Sequence, residues 1–162
     1  MADSINAICT MQAKDAVASK LATAYITIDG NRYLLFQAKK FSAKYKKTKK
    51  EVPILGRPTK GHKATGGEGT GSMTIYANTP LFNDMIKKYQ QTGVDTYFDV
   101  QVTNHDPTSA AGRQTIIYKD CNIDEVQLSA FDADGDWLEQ DIDFTFEDCE
   151  YPEKFAILDG MS

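Results

Sequence analysis

The sequence is poor in the residues from which catalytic and metal centres are built. Its three cysteines, Cys9, Cys121 and Cys149, are far apart in a chain of 162 residues and form no C-x-x-C pair. Neither a zinc site nor a disulfide framework follows from an odd, scattered set of this kind, and inert thiols are the expectation. Histidine is limited to His62 and His105. His105 adjoins Asp106, yet no nucleophile motif accompanies the pair. In Asn104–Ser109 both read as turn residues. No apolar run approaches the eighteen or more residues of a membrane span. Met1–Lys20 lacks the basic start and apolar centre of a secretory leader, so synthesis in a cytoplasm is expected. Apolar content of 41% and charged content of 25% fit one ordinary globular domain.

Glycine is present in ordinary amount but is clustered between Glu51 and Ala77. The apolar run Val52–Leu55 stops at Gly56, and Gly56, Gly61, Gly66, Gly67 and Gly69 follow with three cations and one acid. From Thr70 the pattern alternates, with Met73, Ile75 and Ala77 against Ser72, Thr74 and Tyr76, which marks a half-buried strand. The segment Gly56–Gly69 therefore reads as a long basic loop between two strands, a type that usually carries function. It is not a P-loop: His62 stands where the lysine belongs, Ala64 follows Lys63, and a strand rather than a helix comes next. Gly66–Gly71 fails as a dinucleotide fingerprint for the same lack of a helix. The remaining readings are a flexible surface loop, or one that orders against a neighbouring subunit.

Charge is strongly partitioned. Arg32–Lys63 holds eleven Lys or Arg residues against one acid, Glu51, whereas Asp120–Ser162 holds fourteen acids against Lys154 alone. A nucleic-acid clamp would be basic overall with aromatics ready for stacking, but the net charge is −5. One chain with a basic and an acidic surface suits head-to-tail self-association. Within this partition, Lys44, Lys46 and Lys47 are the expected basic assembly face. Glu139, Asp141, Asp143 and Glu147 are the expected acidic surface, because they alternate with Gln140, Ile142, Phe144 and Phe146. Four carboxylates on one strand face describe a surface rather than a hydrolytic cleft.

The remaining elements follow in order. Residues 1–20 form an N-terminal arm, poorly ordered or a short helix carrying Ile5, Ile8, Met11 and Val17, and 21–162 form a single β domain. Leu21–Asp29 and Tyr33–Lys47 read as strands joined at Asp29-Gly30-Asn31. A change of phase at Lys39-Lys40 signals a bulge or bend. Thr79 and Pro80 open a helix with Leu81, Phe82, Met85, Ile86 and Tyr89 on one stripe and Gly93 as its stop. Thr96–Thr103, Gln114–Lys119 and Ile123–Phe131 are further strands, the last two either separate or continuous through a bend. Asp132-Ala133-Asp134-Gly135-Asp136 lacks the glycine position and terminal Glu of a calcium loop, and Asp134-Gly135 reads as a hairpin turn. The expected fold is mainly β: a curled sandwich or open barrel of about seven or eight strands with one flanking helix.

An ordered set of motifs resembles the XkdM-like phage tail tube family, which covers defective prophage tails and phage-tail-like bacteriocins. The set comprises Glu51–Arg57, Gly61–Gly66 and Gly69-Thr70-Gly71, then Asp106-Pro107, Gly112-Arg113-Gln114, Asp120-Cys121, Phe144–Asp148 and Pro152-Glu153. It spans roughly Ile26 to Lys154. Pro53 and the length of Met1–Lys20 depart from the pattern. The resemblance implies a structural inner-tube protein without catalytic, cofactor or metal residues. It implies hexameric rings, with strands joined into one barrel around a channel and rings stacked inside a contractile sheath. Sheath, baseplate or initiator and tail terminator proteins would be its partners, DNA only transient cargo, and membrane anchoring absent. Gly56, Arg57, Lys60, Gly61, His62, Lys63, Thr65 and Gly66 would lie in the inter-subunit loop, and the acidic strand at the lumen or a ring face. The alternative is a monomeric β-barrel that binds a small ligand in a closed apolar interior.

Overall fold

Period-two patterning dominates the chain, and in a computed structural model describing residues 11–35 and 38–158 it resolves into eight strands and one helix. These are β1 (Ala22–Ile28), β2 (Asn31–Leu34), β3 (Ala38–Val52), β4 (Gly61–Tyr76), α1 (Leu81–Thr92), β5 (Phe98–His105), β6 (Arg113–Val126), β7 (Glu139–Phe146) and β8 (Asp148–Glu153). All strands pair antiparallel in the order β2-β1-β5-β6-β7-β4-β3, with β8 added to β6. The expected mainly β class and strand number are met.

The sheet folds on itself because β6 bends. Asp120 adopts φ 53°, rare for a residue with a Cβ, and its amide donates to Asp99 Oδ1 at 3.2 Å. Before the bend β6 pairs with β5 and β8; after it, Asn122–Val126 pairs with β7. One half-sheet thus holds β2, β1, β5, β8 and the start of β6, and the other holds the end of β6, β7, β4 and β3. Their apolar faces meet. Ile26, Val100 and Cys121 from the first pack with Met73, Ile75, Ile142 and Phe144 from the second. Ring contacts tie the halves, Phe98 to Phe144 at 6.5 Å and Phe41 to Tyr118 at 5.7 Å.

The end strands β2 and β3 do not pair with each other, so the sheet stays open. A solvent-open groove of about 760 Å³ lies between them, with Ala24, Leu35, Phe41 and Tyr118 among its walls. This corrects the alternative of a closed apolar barrel: polar groups of Lys20, Lys40 and Asn104 share the groove.

Helix α1 caps one end of the core through buried Phe82 and Met85. Pro80 is its N-cap rather than its first helical residue, and Thr79 Oγ1 accepts the Leu81 amide at 3.4 Å. Gly93, at φ 72°, ends it with its amide donating to Tyr89 O at 2.9 Å. Asp29 and Gly30, both at positive φ, turn β1 into β2 as expected.

Three expectations change. Tyr33–Lys47 is not one strand: β2 ends at Leu34 in one half-sheet and β3 begins at Ala38 in the other, while the register shift between Ala38 and Lys40 is the bulge expected at Lys39-Lys40. Ile123–Phe131 is strand only to Val126, and a loop of residues 127–138 replaces the predicted tight hairpin. In that loop Asp132 folds the chain back, its Oδ1 accepting the Asp134 amide at 3.0 Å and its carbonyl the Gly135 amide at 3.2 Å. Most important, Gly56–Gly69 is not a loop. Gly56, Arg57 and Lys60 lie in the connection, but Gly61, His62, Lys63, Thr65 and Gly66 belong to β4, all but Thr65 paired with β3. Of the N-terminal arm, Ile5 and Ile8 lie outside the described residues, and Ala13–Asp15 forms a single 3-10 turn.

Candidate assembly surfaces

The glycines of β4 explain why a glycine-rich stretch forms a strand. Gly69 and Gly71 pair directly with Phe146 and Phe144 of β7, whose rings lie over them. A Cβ at Gly69 would stand 2.5 Å from the Phe146 ring, and one at Gly71 would collide with Phe144. The missing side chains are replaced by aromatic rings from the neighbouring strand, an arrangement that offsets the usual weakness of glycine in sheets.

Beyond these rings β3 and β4 leave the body. Lys44–Val52 and His62–Glu68 are exposed on both faces of the two-stranded ribbon. At about 3.3 Å per residue this arm projects roughly 20 Å. A bulge interrupts it: Thr48 pairs with Gly66 and Lys49 with Ala64, and the extra Thr65 donates through Oγ1 to Thr48 O at 3.3 Å. At its tip the Arg57 amide donates to Ile54 O at 3.2 Å around Gly56 at φ 81°, the pattern of a type II turn. Leu55, at the apex, is 101% exposed. The tip carries one exposed ion pair, Lys60 to Glu51 at 3.2 Å, which contributes little by itself.

The acidic and basic candidates share one face. In the register, Thr70 of β4 stands opposite both Lys44 of β3 and Thr145 of β7, and Ser72 stands opposite Asp143. Side chains directly opposite in a sheet point the same way. Lys44 and Lys46 therefore line the β3 side of the outer face, while Asp141, Asp143 and Glu125 line its β7 and β6 side. Lys47 points to the other face by alternation, so the basic trio is split. The picture of two separate charged faces is corrected to one face with a charge gradient across it.

Within the acidic set the environments differ. Glu139 is paired: Lys39 Nζ lies 2.5 Å from its Oε1 and Trp137 Nε1 donates at 2.8 Å. The Lys39 bond first, and then the Trp137 bond, hold its carboxyl below the ordinary range and raise Lys39 in turn. Asp141 accepts from Thr74 Oγ1 at 2.9 Å. Glu147 lies past the end of β7, where its amide donates to Lys119 O at 3.1 Å.

Besides the projecting part of β4, which pairs only with β3, two backbone edges of the body of this half-sheet have no strand partner among the described residues. One is the outer side of β3, and the other the side of Asn122–Val126 away from β7, which β5 does not reach. Open edges of this kind invite pairing with another chain.

Asp106 does more than the turn chemistry anticipated. Its Oδ2 accepts the Ala18 amide at 3.1 Å and its Oδ1 the Thr108 amide at 3.0 Å. Asp15 completes the tie, taking the Ala110 amide on Oδ1 at 3.1 Å and Ser109 Oγ on its carbonyl at 2.8 Å. The Thr108 and Ala18 amides hold the Asp106 carboxyl below its usual range. Asp15 and Asp106 are far apart in sequence, and no local pattern announces their meeting. His105 Nδ1 lies 3.4 Å from Gly112 O, in keeping with a turn. Burial pushes the Cys121 thiol up to about 12, which removes its reactive thiolate at neutral pH. Among the described residues no three His, Cys, Asp or Glu side chains gather into a group that could hold a metal ion.

Comparison with known proteins gives a consistent set of likenesses. A family model described as phage tail tube protein matches residues 9–153. The phage-like element PBSX protein XkdM of Bacillus subtilis (strain 168) is 37% identical over 137 residues, covering 80% of this chain and 93% of the relative. Two solved structures share the fold at low identity. A chain of the anti-feeding prophage baseplate aligns with TM-score 0.65 and 10% identity, covering 84% of this chain and 95% of that one. The SPP1 tail tube aligns with TM-score 0.61 and 10% identity, covering 88% and 81%.

Proposed function

The chain belongs to the phage tail tube protein family, and on that premise we propose that it is the structural subunit of the inner tube of a contractile phage tail or phage-tail-like particle. Six copies form a ring and rings stack around a channel, through which DNA passes or with which an envelope is punctured. The observation that carries this reading is the half-sheet with two unpaired edges and a long exposed arm. A monomer gains nothing from such an arm, and burying both edges against equivalent edges of neighbours removes an aggregation hazard.

Side-by-side joining would set β3 of one copy against the end of β6 of the next. Lys44 and Lys46 would then meet Asp124 and Glu125, so the charge gradient across the outer face becomes complementary from copy to copy. The same face, with Asp141 and Asp143, would line the channel, where like charge keeps passing DNA from adhering. The arm, including Gly56, Arg57, Lys60, Gly61, His62, Lys63, Thr65 and Gly66, would reach the adjacent ring. Sheath, baseplate or initiator, and terminator proteins are the partners of such a tube, whose role is non-catalytic and needs no cofactor or membrane anchor.

Negative-stain electron microscopy of the concentrated protein, with light scattering in parallel, tests the proposal. Rings or tubes with a central hole are expected. Particles that stay monomeric at every concentration, including with a preformed baseplate as initiator, would overturn it.

A further inference from the structure

The arm ends in an apolar tip that the fold itself does not use. Val52, Ile54 and Leu55 are exposed together there, with Leu55 fully so. Around them stand Lys49, Lys50, Arg57, Lys60 and Lys63. A cationic ribbon solvates well without three aliphatic side chains at its end, and a clustered exposed apolar group marks an interaction site.

A second such cluster lies at the other end of the same half-sheet. In the β3–β4 register the tip is closed by Val52 opposite Gly61, while Ala38 opposite Ile75 lies at the far end. β7 starts at that far end, with Glu139 opposite Tyr76, so the loop of residues 127–138 leading into it lies there too. Leu128, Phe131, Trp137 and Leu138 are exposed on or beside this loop, Phe131 to 97%. Their charged neighbours are Asp132, Asp134 and Asp136, together with the mutually neutralising Lys39–Glu139 pair beside Trp137, so the surround is acidic on balance. A depression of about 240 Å³ at the root of the loop has Ala77, Leu128, Ala130 and Leu138 in its wall, with polar Asn83 and Gln127 also lining it.

The two clusters match in chemistry, since both are apolar, and oppose in charge. They sit at opposite ends of one rigid half-sheet, so they cannot meet within a chain. We propose that the receptor for the arm tip is the 127–138 loop of a second copy in the next ring, with Leu55 entering the depression walled by Leu128 and Leu138, next to exposed Phe131. The inference rests on the tube reading and adds the partner surface. The contact is heterologous, and each copy still offers a free tip and a free loop after it forms, so it propagates along one axis. The basic and acidic surrounds would guide the approach and fix its direction, while the apolar contact holds it.

Cross-linking of assembled particles tests this directly. The double variant Leu55→Cys/Phe131→Cys, treated with a short bismaleimide, should give covalent ladders of three or more chains. Each single variant should stop at the level of the untreated background. Tubes visible by microscopy whose double variant gives no ladder beyond the single variants would overturn the inference and leave the tube reading standing. Absence of rings or tubes from the unmodified protein would instead remove the tube reading on which it rests. If the paired cysteines block assembly, mixing decides. Leu55→Asp keeps an intact loop and Phe131→Asp an intact tip, so each alone should fail to stack, and their mixture should give particles two rings deep. A mixture with no gain in particle mass over either variant alone would overturn the inference.

Discussion

The inner and outer halves of the β3–β4 hairpin are continuous in backbone and opposite in circumstance. From Phe41 to Ala43 and from Gly69 to Ile75 one face is packed into the core, and the register is held by rings lying on glycines. From Lys44 to Val52 and from His62 to Glu68 both faces are open to solvent. The first half is explained by folding. The second is not: a two-stranded ribbon in water is marginal at best, and this one is longer than the strands of the body require. The difference teaches that one hairpin serves two selective demands, and that mutations should separate them.

The largest expected effect on folding is in the inner half. Phe144→Ala removes a ring in contact with Phe41 and Phe98 and should cost about 3–5 kcal/mol. A urea melt should show this as a large fall in midpoint. Gly71→Val forces a branched side chain into the Phe144 ring and should cost about 1–3 kcal/mol by overpacking, measured the same way. In contrast, Leu55→Asp should leave the melt within about 0.5 kcal/mol of the parent, as exposed substitutions do, while abolishing stacking by light scattering. If Leu55→Asp destabilised the monomer as much as Gly71→Val, the two halves would not be functionally distinct.

A smaller effect belongs to the edge. Lys44→Glu/Lys46→Glu should leave the melt near the parent and slow ring formation severalfold, because the β3 side of the outer face would then repel the acidic β6 side of its neighbour. The difference from the parent should shrink as salt is raised, as screening requires. Assembly rates equal to the parent at low salt would remove electrostatics from the account of that edge.

The smallest effect lies away from the hairpin. Asp106→Asn weakens the acceptors for Ala18 and Thr108, and should speed tryptic cleavage after Lys14 and Lys20 severalfold. Because the folded-state carboxyl is held below its ordinary range, its stabilisation is complete above the unfolded value near 4 and is lost as pH falls through the lower folded value. Peptic cleavage or amide exchange of the N-terminal segment in the parent should therefore rise only in strong acid, whereas Asp106→Asn should show no such transition.

Much of the fold was legible because it is local. The alternation of Gln140, Ile142, Phe144 and Phe146 against carboxylates, the stripe and glycine stop of α1, and Asp29-Gly30 each act within a few residues. What was hidden is long-range. Gly61–Gly69 looked like a loop because glycine has low strand propensity, and the rings that make it a strand come from Phe144 and Phe146, far along the chain. A bend between Lys119 and Ile123 is legible as an option, but not its place: it occurs at Asp120, a residue without glycine's freedom, held by Asp99 of β5. The sharing of one face by Lys44, Lys46, Asp141 and Asp143 depends on which strands become neighbours, and the tie from Asp15 to Asp106 on the closing of a long loop. The family resemblance reached the tube through motifs, but no motif said which side chains would face which way.

The rings seated on Gly69 and Gly71 have a mechanical consequence. They lie where the exposed ribbon enters the body, so they act as the clamp of a cantilever. A load on the tip bends the ribbon about this root, and a root filled by phenyl groups against backbone has little compliance. Movement imposed on one end is then handed to the core instead of being absorbed in the hairpin. A stretch whose composition suggests slackness becomes the stiff joint of the lever.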